Sequence, residues 1–284
     1  MHRRPTPRAG GLALFPAVIL AFALSGSGLF LALTVGGGLM IAAGISDDVI
    51  GLSPLHKLSA QASAALLTLV IGKELLLPSS ASVAQMSFAF LWIVTLTNAF
   101  NLIDGLDGLC AGVGAVACIF IFAVSEKVEA LILLAAIVGF LPFNRHPAKG
   151  FLGDSGAMLI GFFTAVLSLP MLFNGGGAKG LLSAVMIFAL PLFDTVFAFV
   201  RRILSGSSPF LPDRKHLHHR LVDSGLFHSS VSRFEILMSA ACGSVGALFY
   251  RFGPSPLPVV CFGLLLSACG CIALFFAASR PPSF

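Results

Sequence analysis

The amino-acid sequence predicts an all-α fold, a polytopic integral membrane helical bundle of about ten transmembrane helices. The first observation behind this prediction is composition: 57% of the 284 residues are hydrophobic, only 10% are charged, and the mean hydropathy is +0.99. Soluble domains are about a quarter charged. The second observation is that apolar runs recur along the whole chain, and about 20 apolar residues are enough to span a bilayer. Residues 1–284 are therefore predicted to form a single transmembrane domain.

The apolar runs define ten predicted spans. They lie at about residues 11–25, 28–45, 58–72, 87–103, 108–124, 128–143, 156–173, 181–200, 234–250 and 257–278. A basic segment before the first run also resembles a signal peptide, but no polar mature domain follows it. The polar connection at about 205–233 is the longest one, and its length favours a functional loop over a simple connector.

Basic residues are divided unevenly between the two sides of the predicted bundle. One side carries most of them, whereas the other carries only Lys73, Lys127, Lys179 and Arg251. Because cytoplasmic loops carry the excess of Lys and Arg, both termini and the 205–233 loop are predicted to be cytoplasmic. Most of the aspartates lie on the same face. A net charge of +5 without basic runs among exposed aromatics argues against a nucleic-acid partner.

A polar stretch between two apolar runs, Asn98 to Gly112, is the strongest candidate site. If it is helical, Asn98, Asn101, Asp104 and Asp107 recur every three residues and line one face. A charged side chain in the hydrocarbon costs about 2.5–3.5 kcal/mol on insertion scales, so these carboxylates need a cation, a partner or a water-filled cavity. The alternative is a tight polar turn, since Asp-Gly is an ordinary turn pair, although its repetition here favours a functional site.

Two adjacent aspartates, Asp47 and Asp48, end the second predicted span, and Lys57 follows them. Adjacent carboxylates repel each other unless they are neutralised, and a hard divalent cation with water and phosphate oxygens as further ligands would do so. The alternative is a solvated helix-end pair. Lys57 can bind a phosphate as a point charge, or it can simply mark the membrane interface.

A third polar segment runs from Asn144 to Gly156. Its Asp154 stands between glycines where a span is predicted to begin, so it can be a third metal ligand or the N-terminal cap of that helix. Phe151 can stack on a nucleobase or lie at the membrane interface, where aromatic residues are common.

The fourth polar segment, at 213–221, concentrates imidazole and guanidinium groups. His216, His218 and His219 suggest zinc, but their spacing matches neither a zinc finger nor a His-Glu-x-x-His helix. Together with Arg220 they fit the binding of a diphosphate better. A basic loop attracted to anionic lipid is the alternative.

The four segments together resemble the polyprenyl-phosphate N-acetylhexosamine-1-phosphate transferases, bacterial membrane enzymes of the glycosyltransferase family 4 type. The matching motifs are Pro5-Thr-Pro-Arg-x-Gly-Gly11, Asp47-Asp48-x-x-Gly-Leu-Ser-Pro-x-x-Lys57, Asn98-Ala-Phe-Asn-Leu-Ile-Asp-Gly-Leu-Asp-Gly108, Asn144 to Gly156, and His216-x-His-His-Arg220. The last motif resembles the branch that serves O-antigen, enterobacterial common antigen or teichoic acid. Family members usually have a further span before the first motif, and such a span would place the N-terminus in the periplasm.

The resemblance implies transfer of an N-acetylhexosamine 1-phosphate from a UDP-sugar to undecaprenyl phosphate at the cytoplasmic face of the bacterial inner membrane, with Mg²⁺ as cofactor and Mn²⁺ as its alternative. The implied metal ligands are Asp47, Asp48 and Asp154. The implied catalytic residues are Asp47, Asp48, Asp104, Asp107 and His218. The implied substrate-binding residues are Lys57, Asn98, Asn101, Asn144, Phe151, His216, His219 and Arg220.

Two other classes of protein compete with an enzyme. A proton- or cation-coupled transporter also has carboxylates within the membrane, but it would place them near the bilayer midplane and not at the ends of spans. A non-catalytic scaffold would not need three acidic segments and a His/Arg segment on one side. The sugar, the glycan pathway and the oligomeric state, including a homodimer, stay open.

Overall fold

The computed structural model describes residues 6–206 and 216–262, and this part of the chain is helical with short connections. In chain order its helices are α1 (Gly10–Leu24), α2 (Phe30–Ile50), α3 (Pro54–Leu76), α4 (Val83–Ile103), α5 (Leu109–Ser125), α6 (Val128–Asn144), α7 (Gly153–Asn174), α8 (Ala178–Ile187), α9 (Ala189–Leu204), α10 (Leu217–Asp223) and α11 (His228–Phe252). The all-α prediction is confirmed for the described residues. Pro5, residues 207–215 of the predicted loop and most of the predicted span at 257–278 lie outside them.

Five of these helices, α2, α3, α4, α7 and α11, are long and apolar enough to cross a membrane. The bent pair α8 and α9 makes a sixth if it is one span, and α1, α5 and α6 are apolar helices of 15 to 17 residues. Within the described residues the structure therefore supports five or six candidate spans, and the predicted number of about ten is not confirmed.

The span predicted at 181–200 is not one straight helix, because α8 and α9 meet at Phe188 with a bend of 82°. Pro191 lies in the first turn of α9 and has no N–H with which to continue the hydrogen bonding of α8. The break changes the direction of the chain just before Asp194.

Two further boundaries differ from the sequence prediction. Helix α3 begins at Pro54 and not near residue 58, because Ser53 accepts a hydrogen bond from the His56 N–H and proline suits a first helical turn. The predicted loop at 205–233 contains α10 and the start of α11. The His/Arg segment is thus partly a short helix.

Helix α7 lies at the centre of the bundle, where it packs against α1, α2, α4 and α5. Its most apolar stretch is 94% buried, compared with 33 to 44% in the other four long apolar helices. Close packing depends on glycine: a Cβ atom at Gly44 of α2 or Gly11 of α1 would overlap the backbone of Ser155 in α7. These approaches bring the C-terminal end of α2 beside the N-terminal end of α7, where the candidate site lies.

Candidate active site

Lys57 connects two acidic segments that are far apart in the sequence. Its Nζ atom lies 2.9 Å from Asp47 Oδ2 and 3.0 Å from Asp154 Oδ2. Asn101 Nδ2 donates a longer hydrogen bond of 3.4 Å to the same oxygen of Asp154, and the Leu52 N–H donates to Asp47 Oδ1 at 2.7 Å. We call Asp47, Lys57, Asn101 and Asp154 the Lys57 cluster. Three of the polar segments identified in the sequence meet in it.

Asp48 has different partners from its neighbour Asp47. Its Oδ1 atom lies 3.7 Å from the Arg8 guanidinium, and its carboxylate faces the backbone N–H groups of Asp154 and Ser155 at the start of α7. A helix N-terminus favours negative charge. Asp47 and Asp48 therefore have different cationic neighbours, Lys57 beside Asp47 and Arg8 beside Asp48.

Asp154 does not cap α7, although its position between two glycines made this a candidate role. The N-cap residue is Leu152, and its side chain makes no capping hydrogen bond. Asp154 instead lies in the first turn and directs its carboxylate to Lys57 and Asn101. The capping role expected for Asp154 is therefore wrong, and its role as a metal ligand stays a prediction.

The stretch from Asn98 to Asp107 is not one continuous helix. Asn98 and Asn101 share a face near the end of α4, but Asp104 is the C-cap residue and Asp107 lies in the turn that leads to α5. Gly108 closes this turn with φ +74°, a conformation that costs glycine little. The helical interpretation is thus wrong beyond Ile103, and the Asp-Gly pairs form a polar turn, residues 104–108.

The carboxylates of this region influence one another. Burial of the Asp104 carboxyl group and the nearby carboxylates of Asp154, Asp48 and Asp107 raise the pKa of Asp104 to about 7. Negative charge is therefore concentrated at this end of the bundle. A bound cation would relieve the repulsion.

Asp107 holds its neighbours in place. Its Oδ2 atom accepts hydrogen bonds from His146 Nδ1 at 2.9 Å and from the Ala148 N–H at 3.1 Å, while its main-chain oxygen accepts one from Ser232 Oγ at 3.0 Å. Asp107 thus joins the 104–108 turn to the 145–152 segment and to α11. A catalytic role for Asp107 stays a prediction.

Asn144 and Phe151 shape the segment that precedes α7. Asn144 is only 3% exposed, and its Nδ2 atom donates to the Gly150 carbonyl oxygen at 3.1 Å. The Phe151 N–H donates to the Pro7 carbonyl oxygen and its own carbonyl oxygen accepts from the Gly10 N–H, at 2.9 and 3.0 Å. The Phe151 side chain lines an apolar cavity of about 430 Å³ between α1 and α6. Their predicted contacts with a nucleoside stay predictions.

The histidines of the fourth segment are mostly buried. His216 and His218 are 4% and 1% exposed, and their rings lie nearly parallel with centroids 5.9 Å apart. The His219 ring centroid lies 4.3 Å from that of His218. A Cβ atom at Gly105 would overlap the His218 ring, so this imidazole rests directly on the 104–108 turn.

His218 is neutral near pH 7. Burial and the neighbouring His219 and His216 lower the pKa of His218 to about 4, against the opposing effect of Asp194. It can exchange hydrogen bonds with a substrate but brings no positive charge. In the described part of this segment, residues 216–221, Arg220 supplies positive charge; it is exposed, and its guanidinium carbon lies 5.6 Å from the centre of the Phe197 ring.

The donor atoms of the Lys57 cluster suit magnesium. Within residues 6–206 and 216–262, no three His, Cys, Asp or Glu side chains are placed to ligate one metal ion. Mg²⁺, however, is usually bound by one or two carboxylates together with water and substrate phosphates. Asp47 Oδ2 and Asp154 Oδ2 converge on one cation, the Lys57 ammonium, and these two carboxylates fit such a site. Asp48 faces Arg8 and fits it less well.

Three residues with clear roles in this geometry were not among the candidates from the sequence: Arg8, His146 and Asp194. Arg8 belongs to the Pro-Thr-Pro-Arg motif and His146 to the third polar segment. Both segments had already been identified in the sequence, so the two residues could have been named as candidates. Asp194 is an isolated carboxylate in an apolar run, which by itself indicates a buried partner. What the sequence could not show was which partner.

These observations define a multi-pass helical membrane protein with an acidic and histidine-rich site at one end of its bundle. The chain belongs to glycosyl transferase family 4, which matches residues 30–172, half of its length. This membership confirms the resemblance seen in the motifs, and it gives no support to a transporter.

Curated relatives extend the similarity over most of the chain. A probable undecaprenyl-phosphate N-acetylglucosaminyl 1-phosphate transferase of Bacillus subtilis is 37% identical, over 80% of this chain and 69% of the relative. A decaprenyl-phosphate N-acetylglucosaminephosphotransferase of Mycobacterium tuberculosis is 33% identical, over 94% and 78%. An undecaprenyl-phosphate alpha-N-acetylglucosaminyl 1-phosphate transferase of Escherichia coli K12 is 28% identical, over 98% and 83%.

Proposed function

We propose that this protein transfers an N-acetylhexosamine 1-phosphate from a UDP-sugar to undecaprenyl phosphate or a similar polyprenyl phosphate. An oxygen of the lipid phosphate attacks the β-phosphorus of the donor, the bond from that phosphorus to the bridging oxygen breaks, and UMP leaves. The observation that carries this proposal is the Lys57 cluster, in which a lysine and two carboxylates from separate helices meet at one end of an apolar bundle. A lipid-soluble acceptor and a polar donor can meet there.

In this reaction the residues of the site would stabilise charge and position the two substrates, and proton transfer would matter less. A phosphate monoester has its second pKa at about 6, so the lipid phosphate is mostly ionised at neutral pH and needs little help from a base. Asp48 is accordingly a secondary candidate for that role. In phosphoryl transfer, positioning and charge stabilisation supply most of the catalysis. Lys57 and Arg220 can supply positive charge for the diphosphate.

A metal ion is the second part of the proposal. Asp47 and Asp154 would hold Mg²⁺, and Mn²⁺ could replace it. The ion would neutralise negative charge that develops on the diphosphate. Asn101 near the end of α4 contacts Asp154, and Asn98 lies one turn earlier on the same helix; both would bind the donor.

The acceptor lipid has a suitable surface on α9. Phe193 and Phe197 are stacked with ring centroids 5.9 Å apart, and 59% and 37% of their surfaces are exposed. The guanidinium carbons of Arg201 and Arg220 lie 5.4 and 5.6 Å from the Phe197 ring centre. An isoprenoid chain on this aromatic surface would have its phosphate close to two cations.

A direct assay tests the proposed reaction. Purified protein is incubated with undecaprenyl phosphate and, separately, with each of a panel of UDP-sugars, and UMP is measured. We expect UMP release only with a UDP-N-acetylhexosamine and only when the lipid is present. Release without the lipid would indicate hydrolysis, and no release with any sugar would contradict the proposal.

Chelation should abolish UMP release reversibly. In excess chelator the carboxylates and the diphosphate lack a divalent cation, and activity is expected to return when Mg²⁺ is added. The matched control is the same chelator already saturated with Mg²⁺, which should have no effect. Full turnover in excess free chelator would show that the reaction does not need a divalent metal ion.

Topology gives an independent prediction, because we propose that the site faces the cytoplasm of the bacterial inner membrane. In a variant without native cysteines, Ser229→Cys beside the site should resist a membrane-impermeant maleimide added outside spheroplasts. Ser80→Cys, between α3 and α4 at the other end of the bundle, should react. The reverse pattern would place the site on the wrong face for a cytoplasmic nucleotide sugar.

A further inference from the structure

Asp194 is a buried carboxylate for which the proposed reaction has no use. It lies in α9 just after the 82° bend and is 2% exposed. A carboxylate in an apolar helix is unfavourable unless its oxygens are paired. Both carboxylate oxygens of Asp194 are paired. Oδ2 accepts a hydrogen bond from His216 Nδ1 at 2.7 Å, and Oδ1 accepts one from the Leu217 N–H at 2.8 Å.

This pairing holds the start of α10. His216 is the N-cap residue of that helix and Leu217 is its first residue, and no side chain of α10 itself caps it. A seven-residue helix is too short to be stable alone. Because a carboxylate only accepts hydrogen bonds, His216 must carry its hydrogen on Nδ1. The contact therefore sets both the position of α10 and the orientation of the His216 ring.

The contact extends to the 104–108 turn through His218. The His218 ring lies parallel to that of His216, with an interplanar angle of 7°, and it rests on Gly105. Asp194, His216 and His218 thus form one continuous series of contacts from α9 to the turn that carries Asp104 and Asp107. Movement at the first contact would displace the last.

We propose that Asp194 is a positioning residue of the active site: through His216 and Leu217 it fixes α10 so that His218 rests on the 104–108 turn. This inference builds on the proposed transfer reaction. Asp194 itself touches no reacting group, and it acts only by placing α10.

The first test does not depend on activity. Hydrogen–deuterium exchange is measured on the purified protein for the peptide that covers α10 and for peptides from α4 and α7. Asp194→Ala should speed exchange in α10 and leave α4 and α7 unchanged, and Asp194→Asn, which can still accept from Leu217, should have a smaller effect. Asp223→Ala is the control, because Asp223 is an exposed residue at the other end of α10. Faster exchange throughout the bundle, or none in α10, would overturn the inference.

The second test uses kinetics. Asp194→Ala should lower kcat about 10- to 100-fold, the usual effect of losing a residue that orients an active-site group, with little change in KM for the UDP-sugar. His216→Ala should have a similar effect, and the double variant should be no worse than either single one because the two residues act in series. Additive losses would overturn the inference. If the wild-type protein releases no UMP, the proposed function fails, while the exchange experiment still decides the role of Asp194.

Discussion

Asp47→Asn and Asp154→Asn should each lower the turnover of UMP release about 100- to 1,000-fold, the size expected for losing one strong transition-state contact. Asparagine keeps the shape of the side chain but removes the charge. In each variant Lys57 would keep only one of its two carboxylate partners, and the proposed Mg²⁺ would lose a charged ligand. The loss should appear in kcat at saturating UDP-sugar, measured beside a Mg²⁺ titration.

Asp223→Asn is the matched control, since it makes the same chemical change at an exposed position and should leave turnover unchanged. His218→Ala and Arg220→Ala form a second comparison: they should lower turnover while the apparent affinity for Mg²⁺ stays the same. If these two variants lost Mg²⁺ dependence while the aspartate variants kept it, the assignment of metal and diphosphate contacts would be reversed.

Gly44→Ala should lower both the stability and the activity of the protein. A Cβ atom there would overlap the backbone N and Cα atoms of Ser155, which cannot move aside as a flexible side chain can. Overpacking of this kind costs about 1–3 kcal/mol. The separation of α2 from α7 would also move Asp47 away from Asp154, and a displacement of about 1 Å can reduce a rate 100-fold. We expect both a lower melting temperature in detergent and a large loss of turnover.

Gly38→Ala is the control for this experiment. It lies in the same helix, and the only atom near its added Cβ is Phe15 Cζ at 3.8 Å, an ordinary contact. Both variants replace glycine by alanine in a helix interior and share the same gain in helix propensity, about 1 kcal/mol. The difference between them therefore isolates the contact with Ser155. Equal effects would show that the crossing of α2 and α7 tolerates the added methyl group.

Much of the fold could be predicted because lipid imposes a simple rule: each apolar segment must satisfy its own backbone hydrogen bonds, which favours helices. The predicted helix boundaries are wrong where a single residue starts or breaks a helix inside an apolar run. Ser53 and Pro54 start α3 early, and Pro191 divides what hydropathy alone represents as one span. Helix α10 was missed because its polar side chains have the composition of a loop.

The site was predictable in its residue types but not in its pairings. Lys57 of α3 and Asp154 of α7 are 97 positions apart in the sequence, and their contact depends on how α2 and α3 pack against α7. Nothing local to Asp47 and Asp48 indicates that they contact different cations, Lys57 and Arg8. His218 has the sequence signature of a cationic phosphate ligand, but burial keeps it neutral. Pairings of this kind depend on how the helices pack against one another, and the residues next to each site in the sequence do not reveal that packing.

The burial of α7 has a consequence for the synthesis of the protein. Chains are made from the N-terminus, so α1 to α6 are synthesised before α7, and α1, α2, α4 and α5 cannot pack against α7 until it has been made. Until Gly153 and the residues after it leave the ribosome, Lys57 has no Asp154 to bind. Synthesis of α7 is therefore the step at which the Lys57 cluster can first form, while the histidines of the site arrive later with α10.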